Sequence, residues 1–339
     1  MVPTGRVTIR DVAKAAGVSV STISKVMNNR DGISEATQHR VREVINQLGY
    51  VSSVSARSLR VHRTGVIGVL ISDFEPYATE VLKGIAQECH GCPVELMAWS
   101  GGTVQDGSAR GWEQRLIARL AGTVLDAAIL VAPSMTSVPF DRFAMVAIDP
   151  HEGPGFIPSI RADDAGGARL AVDHLVSLGH RRIAFLGGRA DLASAKAREQ
   201  GFREAMAAHG LVVDEALVVR GDYSLEGATQ PAHDLLSAPD PATAIFAAND
   251  LSALRVIEVA RELGIDVPGQ VSVVGFDDIP ESLRSVPSLT TVAQPMIEIG
   301  RRAASVLFQL MARDEVAETD VRLPTRLVVR DSTAAPRRA

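Results

Sequence analysis

The hydrophobic pattern of the chain changes character near residue 64. Before it, apolar side chains recur at helical spacing in three short blocks. Ile9, Val12, Ala13 and Ala16 form one stripe that Gly17 closes. Thr8-Ile9-Arg10-Asp11 opens it as a capping box, with Thr8 as N-cap and Asp11 as its partner. After a short turn Ser19 caps a second helix, with Ile23, Val26 and Met27 on the buried side. A third helix follows Ser34, with Val41, Val44, Ile45 and Leu48 inward and Gly49 as its stop. Two short helices joined by a Gly-containing turn, with a third completing the core, predict helix-turn-helix geometry.

Beyond residue 64, short β-branched runs alternate with amphipathic stretches. Strands are expected at Val66–Ser72, Val94–Trp99, Asp126–Ala132, Ala144–Asp149 and Ser159–Ala162. A second series runs Arg182–Gly187, Leu217–Arg220, Thr243–Ala247 and Val271–Phe276. Helices fall between them, near 75–90, 110–121, 165–178, 195–209, 226–237 and 250–263. Near-continuous apolar strands with intervening helices predict parallel sheets covered on both faces. The two series predict two similar lobes. The last segment holds a strand near 289–293, a helix from Met296 to about Ala312 and a strand at Arg326–Arg330. It is too short for a third lobe and is expected to cross back and finish both sheets.

Charge divides the chain at the same place. Residues 1–64 carry ten Lys and Arg against four acids, a net of +6, whereas the remainder carries 25 bases against 36 acids. A basic head on an acidic body points to a polyanion partner for the head alone. The N-terminal residues of the second helix of such a motif enter the major groove. Ser21 and Lys25 share a face there. Lys25 can donate to guanine, Ser21 can bond several bases, and Val20 offers apolar contact, for example to a thymine methyl. Thr8, Ser19, Thr22, Ser24, Asn28, Ser34, Thr37 and Tyr50 are short polar groups or hydroxyls near helix starts, suited to phosphate contacts that set register. For Thr8, Ser19 and Ser34, capping a helix is the competing role, and the two are compatible.

The stretch VTIRDVAKAAGVSVSTISKVMNN closely resembles the head of the lactose-repressor/galactose-repressor (LacI/GalR) family. The likeness continues through Leu48-Gly49-Tyr50 into Ala56-Arg57-Ser58-Leu59-Arg60. It resumes in Leu178–Ala184, Ala247–Asp250, Val271–Asp278 and Leu289–Pro295. It implies a helix-turn-helix head at 1–51, a hinge helix at 52–63 that orders on DNA, and an effector-binding and dimerisation body at 64–339. In the hinge, Leu59 is by resemblance the wedge that opens the minor groove and Ala56 lines its contact face. Ser52 stands where the family usually has Pro. The implied fold is α/β: an all-α head on a two-lobed body like periplasmic sugar-binding proteins, built of doubly wound parallel sheets. Its lobes are expected at 64–162 with 292–323 and at 163–291 with 324–333, joined by crossovers near 162–163, 291 and 323.

Ligands of doubly wound sheets bind at the carboxyl ends of strands. Ser72, Asp73, Trp99, Ser100, Ser134, Asp149, Asp163, Asp164, Asn249, Asp250, Asp277 and Asp278 follow the expected strands. The effector set drawn from the strand ends and the resemblance is Ser72, Asp73, Tyr77, Trp99, Arg198, Asn249 and Asp277. By resemblance Arg198, Asn249 and Asp277 grip the effector, and Tyr77 matches an aromatic that packs against a sugar. Asp250 and Asp278 are read as helix caps, and Trp99 fits core or interface equally well. The family's Asn-Pro-Phe-Phe is here Glu75-Pro76-Tyr77-Ala78, which admits a ligand with cationic or additional donor groups.

Cys89-His90-Gly91-Cys92 has half the ligands of a zinc site, and neither metal nor cofactor is expected. No phosphate-loop, dinucleotide, nucleophile-elbow or zinc-protease motif occurs. No apolar run is long enough to span a membrane and no secretory pattern opens the chain, so a cytoplasmic location is expected. The reading is a ligand-responsive repressor binding a palindromic operator as a homodimer. By resemblance, tetramers of the family carry a C-terminal leucine heptad; residues 331–339 have none, so a dimer is expected. The competing readings are a sugar-processing enzyme and a transport solute-binding protein built on the same body.

Overall fold

The computed structural model describes residues 7–27, 31–48, 64–101, 111–135, 143–155 and 157–337. The chain divides into an N-terminal unit that runs to Thr64 and takes in Gly122–Val124, and a larger unit of Gly65–Ala121 and Leu125–Ala339.

In the first unit α1 spans Ile9–Ala16, α2 Val20–Met27 and α3 Glu35–Leu48. The capping box is formed: the Thr8 backbone N–H donates to Asp11 Oδ2 at 2.8 Å and the Thr8 hydroxyl to the same oxygen at 2.6 Å. Gly17 takes φ 64°, the left-handed cap conformation that costs glycine little. Ser19 Oγ accepts the Thr22 N–H at 3.1 Å and so caps α2. Val12, Ala13, Ala16, Ile23, Val26 and Val41 are buried together, with Val44 and Ile45 packed beside them. Met27 and Leu48, expected inside, are exposed. The Ile23–Val26 edge of α2 and the Val41–Val44–Ile45 edge of α3 fill the small core, and both outliers fall past its rim.

The larger unit contains, among its described residues, two six-stranded sheets. The first has order β11-β5-β4-β3-β1-β2, with β1 Val66–Ile71, β2 Glu95–Ser100, β3 Ala127–Val131, β4 Ala144–Ile148, β5 Ser159–Ala162 and β11 Asp320–Leu323. All its pairings are parallel. The second has order β12-β10-β9-β8-β6-β7, with β6 Ile183–Gly187, β7 Val218–Arg220, β8 Ala244–Ala247, β9 Ser272–Asp277, β10 Thr290–Ala293 and β12 Arg326–Val328. Only β12 runs antiparallel to its neighbour. Each order reverses direction after its first strand, between β1 and β3 and between β6 and β8.

Helices cover both faces, as the apolar runs require. Alternate residues of β1 diverge: Ile67, Val69 and Ile71 meet the core beneath α4 (Pro76–Cys89) and α11 (Met296–Ala312), and Leu70 meets the core beneath α5 (Trp112–Leu120). In β6, Ala184 and Leu186 face α8 (Thr229–Leu236) and α9 (Asp250–Glu262). Ile183 and Phe185 face α6 (Asp164–Ser177) and α7 (Ala193–Ala208), where Phe185 stacks on Phe202. A short α10, Pro280–Arg284, follows β9.

The chain passes between the lobes at Asp163, after Ala293 and between β11 and β12. The middle passage lies beyond the expected 291 because Thr290–Ala293 pair with Val274–Asp277 along the whole of β10. The returning helix α11 crosses α4 where Gly84 and Gly300 face each other's backbones. A methyl at 84 would meet the Ile297 carbonyl, and one at 300 the Val81 carbonyl. Backbone cannot yield as a side chain would, so Gly300→Val is expected to cost about 3 kcal/mol, the upper range for overpacking. Urea unfolding of the two proteins side by side checks it.

Candidate functional site

In the head, Ser19, Val20, Ser21 and Lys25 are exposed along the first turns of α2, and Thr22 and Ser24 are half-buried. The helix shows its polar side there because Ile23 and Val26 are committed to the core. The Ser19 hydroxyl also bonds those of Ser21 and Thr22, at 2.7 and 2.9 Å. The Ser34 hydroxyl meets that of Thr37 at 2.9 Å. Thr8, Ser19 and Ser34 thus have partners within the fold. Asn28, Tyr50, Ser52, Ala56 and Leu59 lie outside the described residues.

In the body, a cavity of about 460 Å³ opens at the carboxyl ends of both sheets. Ser72 and Asp73 follow β1, Ala132 follows β3, Arg189 follows β6 and Asn249 follows β8, so both reversal points border it. Tyr77 on α4, Asp149 after β4, Arg198 on α7, Asp277 at the end of β9 and Gln294 after β10 complete much of the wall. Of the expected effector residues, Ser72, Asp73, Tyr77, Arg198, Asn249 and Asp277 are brought together here. Trp99 is not: it packs with Leu70, Ile117 and Leu130 on the face of the first sheet. Being last but one in a strand fixes where a backbone ends, not which face its side chain joins.

Arg198, 4% exposed, is the hub. Its Nε donates to Asp164 Oδ1 at 2.8 Å, and its Nη1 donates to the Ala248 carbonyl and, at 3.4 Å, to Asp277 Oδ1. Its guanidinium carbon lies 3.8 Å from the centroid of the Phe276 ring. Gln294 Nε2 donates to the same Asp277 oxygen at 2.7 Å. Asn249 caps α9 by accepting the Ser252 N–H at 3.1 Å and donates to the Tyr223 carbonyl at 2.9 Å. Ala132, Asp149, Tyr223 and Asp277 all have positive φ, between 48° and 123°, although none is glycine. Strained backbone gathers around the cavity, as it does at ligand sites.

Two expected caps do other work. Asp250, fully buried, accepts from the Ile279 N–H at 3.0 Å, the Ser282 hydroxyl at 2.6 Å and the Thr291 hydroxyl. It ties α9 to α10 and β10, while Asn249 caps α9. Asp278 pairs with Arg330 and Arg326. Ser134 is spent on the buried Glu113, donating through its N–H at 3.0 Å and its hydroxyl at 3.1 Å.

Burial, reinforced by the charge of Asp164, pushes the Asp149 carboxyl up to about 7. Burial pushes Asp277 up to about 6, against the pull of Arg198 and Gln294. Burial and Arg189 hold His151 down at about 4, so it is neutral at neutral pH. A carboxyl whose proton is held more tightly folded than unfolded adds stability below its ordinary value near 3.8, and that stability is lost as pH rises through about 7. Asp149→Asn keeps the shape without the charge. Wild-type unfolding free energy is therefore expected to fall between about pH 5 and pH 8 relative to Asp149→Asn. Denaturant titrations at the two pH values check this.

Among the described residues no helix is long and apolar enough to cross a membrane, and no group of three or more His, Cys, Asp and Glu can hold a metal. Cys89 is buried and Cys92 exposed.

Comparison with known proteins agrees with both halves of the chain. Residues 8–53 match the bacterial regulatory proteins of the lacI family, and residues 172–333 match the periplasmic binding protein-like domain. The HTH-type transcriptional regulator DegA of Bacillus subtilis (strain 168) is 34% identical, over 97% of this chain and 98% of its own. The lac repressor dimer bound to operator and the anti-inducer ONPF superposes with a TM-score of 0.82 at 27% identity, over 98% of this chain and all of its own. The transcriptional regulator CelR in complex with cellobiose gives 0.69 at 30% identity, over 96% of this chain and all of its own. The chain therefore belongs to the LacI family: it is a DNA-binding, ligand-responsive transcriptional regulator and not an enzyme.

Proposed function

We propose that the chain acts as a homodimeric repressor. Two heads hold the half-sites of a palindromic operator, and a small sugar-like effector binds in the cleft between the lobes. The observation that carries this reading is the cavity walled from both lobes around Arg198 and Asp277. A ligand touching both lobes binds one interlobe angle better than another, and only such a difference shifts an equilibrium. A 100-fold change in operator occupancy needs about 2.7 kcal/mol of coupling. The lac repressor dimer on operator and CelR with cellobiose lend the reading support from relatives.

The proposed layout is a head at 1–51, a hinge at 52–63 and a body at 64–339. The first lobe is 64–162 with 294–323, and the second is 163–293 with 324–333. Val20, Ser21 and Lys25 read bases. Thr8, Ser19, Thr22, Ser24, Asn28, Ser34, Thr37 and Tyr50 hold the backbone. Ala56 and Leu59 enter the minor groove. Ser72, Asp73, Tyr77, Arg198, Asn249 and Asp277 take the effector.

Lys25→Ala tests the head. It is expected to cost about 1–3 kcal/mol on the operator, with little change on scrambled duplex in moderate salt. Fluorescence anisotropy on both DNAs measures it. Equal losses on the two would make Lys25 a phosphate contact. Sedimentation of the full chain as a monomer at operator-binding concentrations would remove the symmetric arrangement.

A further inference from the structure

We infer that the effector of this cleft carries a basic nitrogen, as an aminated mono- or disaccharide does, and is not a neutral sugar. The inference rests on the reading of the cleft as the effector site. It follows from what the walls have left to offer. Five carboxylates border the cavity, those of Asp73, Glu75, Asp149, Asp222 and Asp277, against the guanidinium groups of Arg189 and Arg198. Both arginines are already paired, Arg189 with Asp191 and Arg198 with Asp164 and Asp277. His151 adds no charge.

Several amide and guanidinium donors of the wall are already committed. Arg189 gives its Nε to Asp191 at 3.0 Å, and its Nη2 goes to the same carboxylate. Gln294 gives its amide to Asp277 and Asn249 gives its amide to the Tyr223 carbonyl. What remains is carboxyl groups, acceptors alone once ionised, beside the hydroxyls of Ser72, Tyr77 and Ser194. Of the carboxyls, Asp149 and Asp277, raised by burial to about 7 and about 6, keep part of their protons near neutral pH. A neutral hydroxyl brings one donor and needs donors in return. An ammonium brings three donors and asks for none.

Tyr223 stands in the same wall with an unmet hydrogen-bonding group. Its ring lies against Gly188, where no side chain would fit. Its hydroxyl is the one buried side-chain polar atom, among the described residues, that has no hydrogen-bond partner. A buried polar group left unmatched is costly. The residue lines the cavity, and since a phenol both donates and accepts, a small shift of the ring would let it meet either kind of ligand group. At the mouth the Glu75 carboxyl is raised by burial first and then by the like charges of Asp73, Asp277 and Asp222 from both lobes. A cation between them relieves that repulsion only when the lobes hold it in common.

The test is calorimetric titration of the full-length protein. The ligands are glucosamine, galactosamine, mannosamine and the disaccharide of glucosamine, each beside its hydroxyl parent and its N-acetylated form. At least one amine is expected to bind about tenfold more tightly than both of its neutral counterparts, the scale of one charge-assisted hydrogen bond. Glu75→Gln with Asp222→Asn, both at exposed carboxylates, is expected to bring that ratio close to one. Neutral forms binding as well as or better than the amines would overturn the inference and leave the effector cleft standing. An amine preference that survives the double substitution would overturn the assignment to these carboxylates. No binding by any compound in either arm would overturn both the inference and the sugar-like reading of the cleft.

Discussion

Arg198→Ala is expected to cost about 3–5 kcal/mol of stability, the range for removing one partner of a buried ion pair. The reason is what remains. Asp164 and Asp277 are both buried, and each loses its guanidinium donor. The Ala248 carbonyl and the face of Phe276 lose theirs as well. Chemical denaturation measures the loss. A change below about 1 kcal/mol would mean that water or a rearranged side chain replaces the arginine. Arg198→Met combined with Asp164→Asn and Asp277→Asn removes the charges together. It is expected to recover much of the stability, because apolar replacement of a whole buried ionic cluster is often near neutral. It is not expected to recover effector response, read as ligand-driven change in operator affinity. Stability and response are thereby separated: a triple variant that responds normally would take the arginine out of effector binding.

Ile23→Ala is expected to abolish operator binding while leaving the body intact. Ile23 is fully buried in a core of six side chains, and large-to-small changes at such sites cost about 2–5 kcal/mol. A three-helix unit of this size has little stability to lose. The body has its own cores on both faces of each sheet, none of which includes a head residue. Calorimetry should show the body transition unmoved, and anisotropy should show operator affinity gone. Val20→Ala is the control: Val20 is exposed, so it leaves the head folded and removes only its base contact. Full operator affinity in Ile23→Ala would mean that DNA binding itself restores the head by mass action.

Much of this molecule was legible from residue types in order. The strand runs 66–71, 127–131 and 183–187 are apolar throughout, and parallel strands buried on both faces require that. The head was legible because capping residues and a glycine stop bracket each short stripe. What escaped notice lacked such contrast. β11 has a single buried residue, Val321, and is an edge strand recognised only by its partner β5. α10 is five residues long. At the cleft, Arg198, Asn249 and Asp277 follow the rule of strand ends and the family resemblance. Gln294 and Tyr223 do not stand out, because one sits in a connection and the other some residues past β7. Asp250 was visible as a residue but not as a tie between three elements, since its partners Ile279, Ser282 and Thr291 are distant in sequence. Trp99 was the reverse, a conspicuous side chain at a strand end that turns into the core.

The interleaving of the lobes has a consequence for synthesis. The first sheet starts at Val66, yet its covering helix ends at Ala312 and its edge strand at Leu323. The half that emerges first from the ribosome must therefore wait, apolar surface uncovered, until nearly the whole polypeptide has followed. Strands β6 to β10 lie in one unbroken stretch and can associate earlier. A stalled or shortened transcript thus yields a leading half that invites chaperones or aggregation, and never a smaller working regulator.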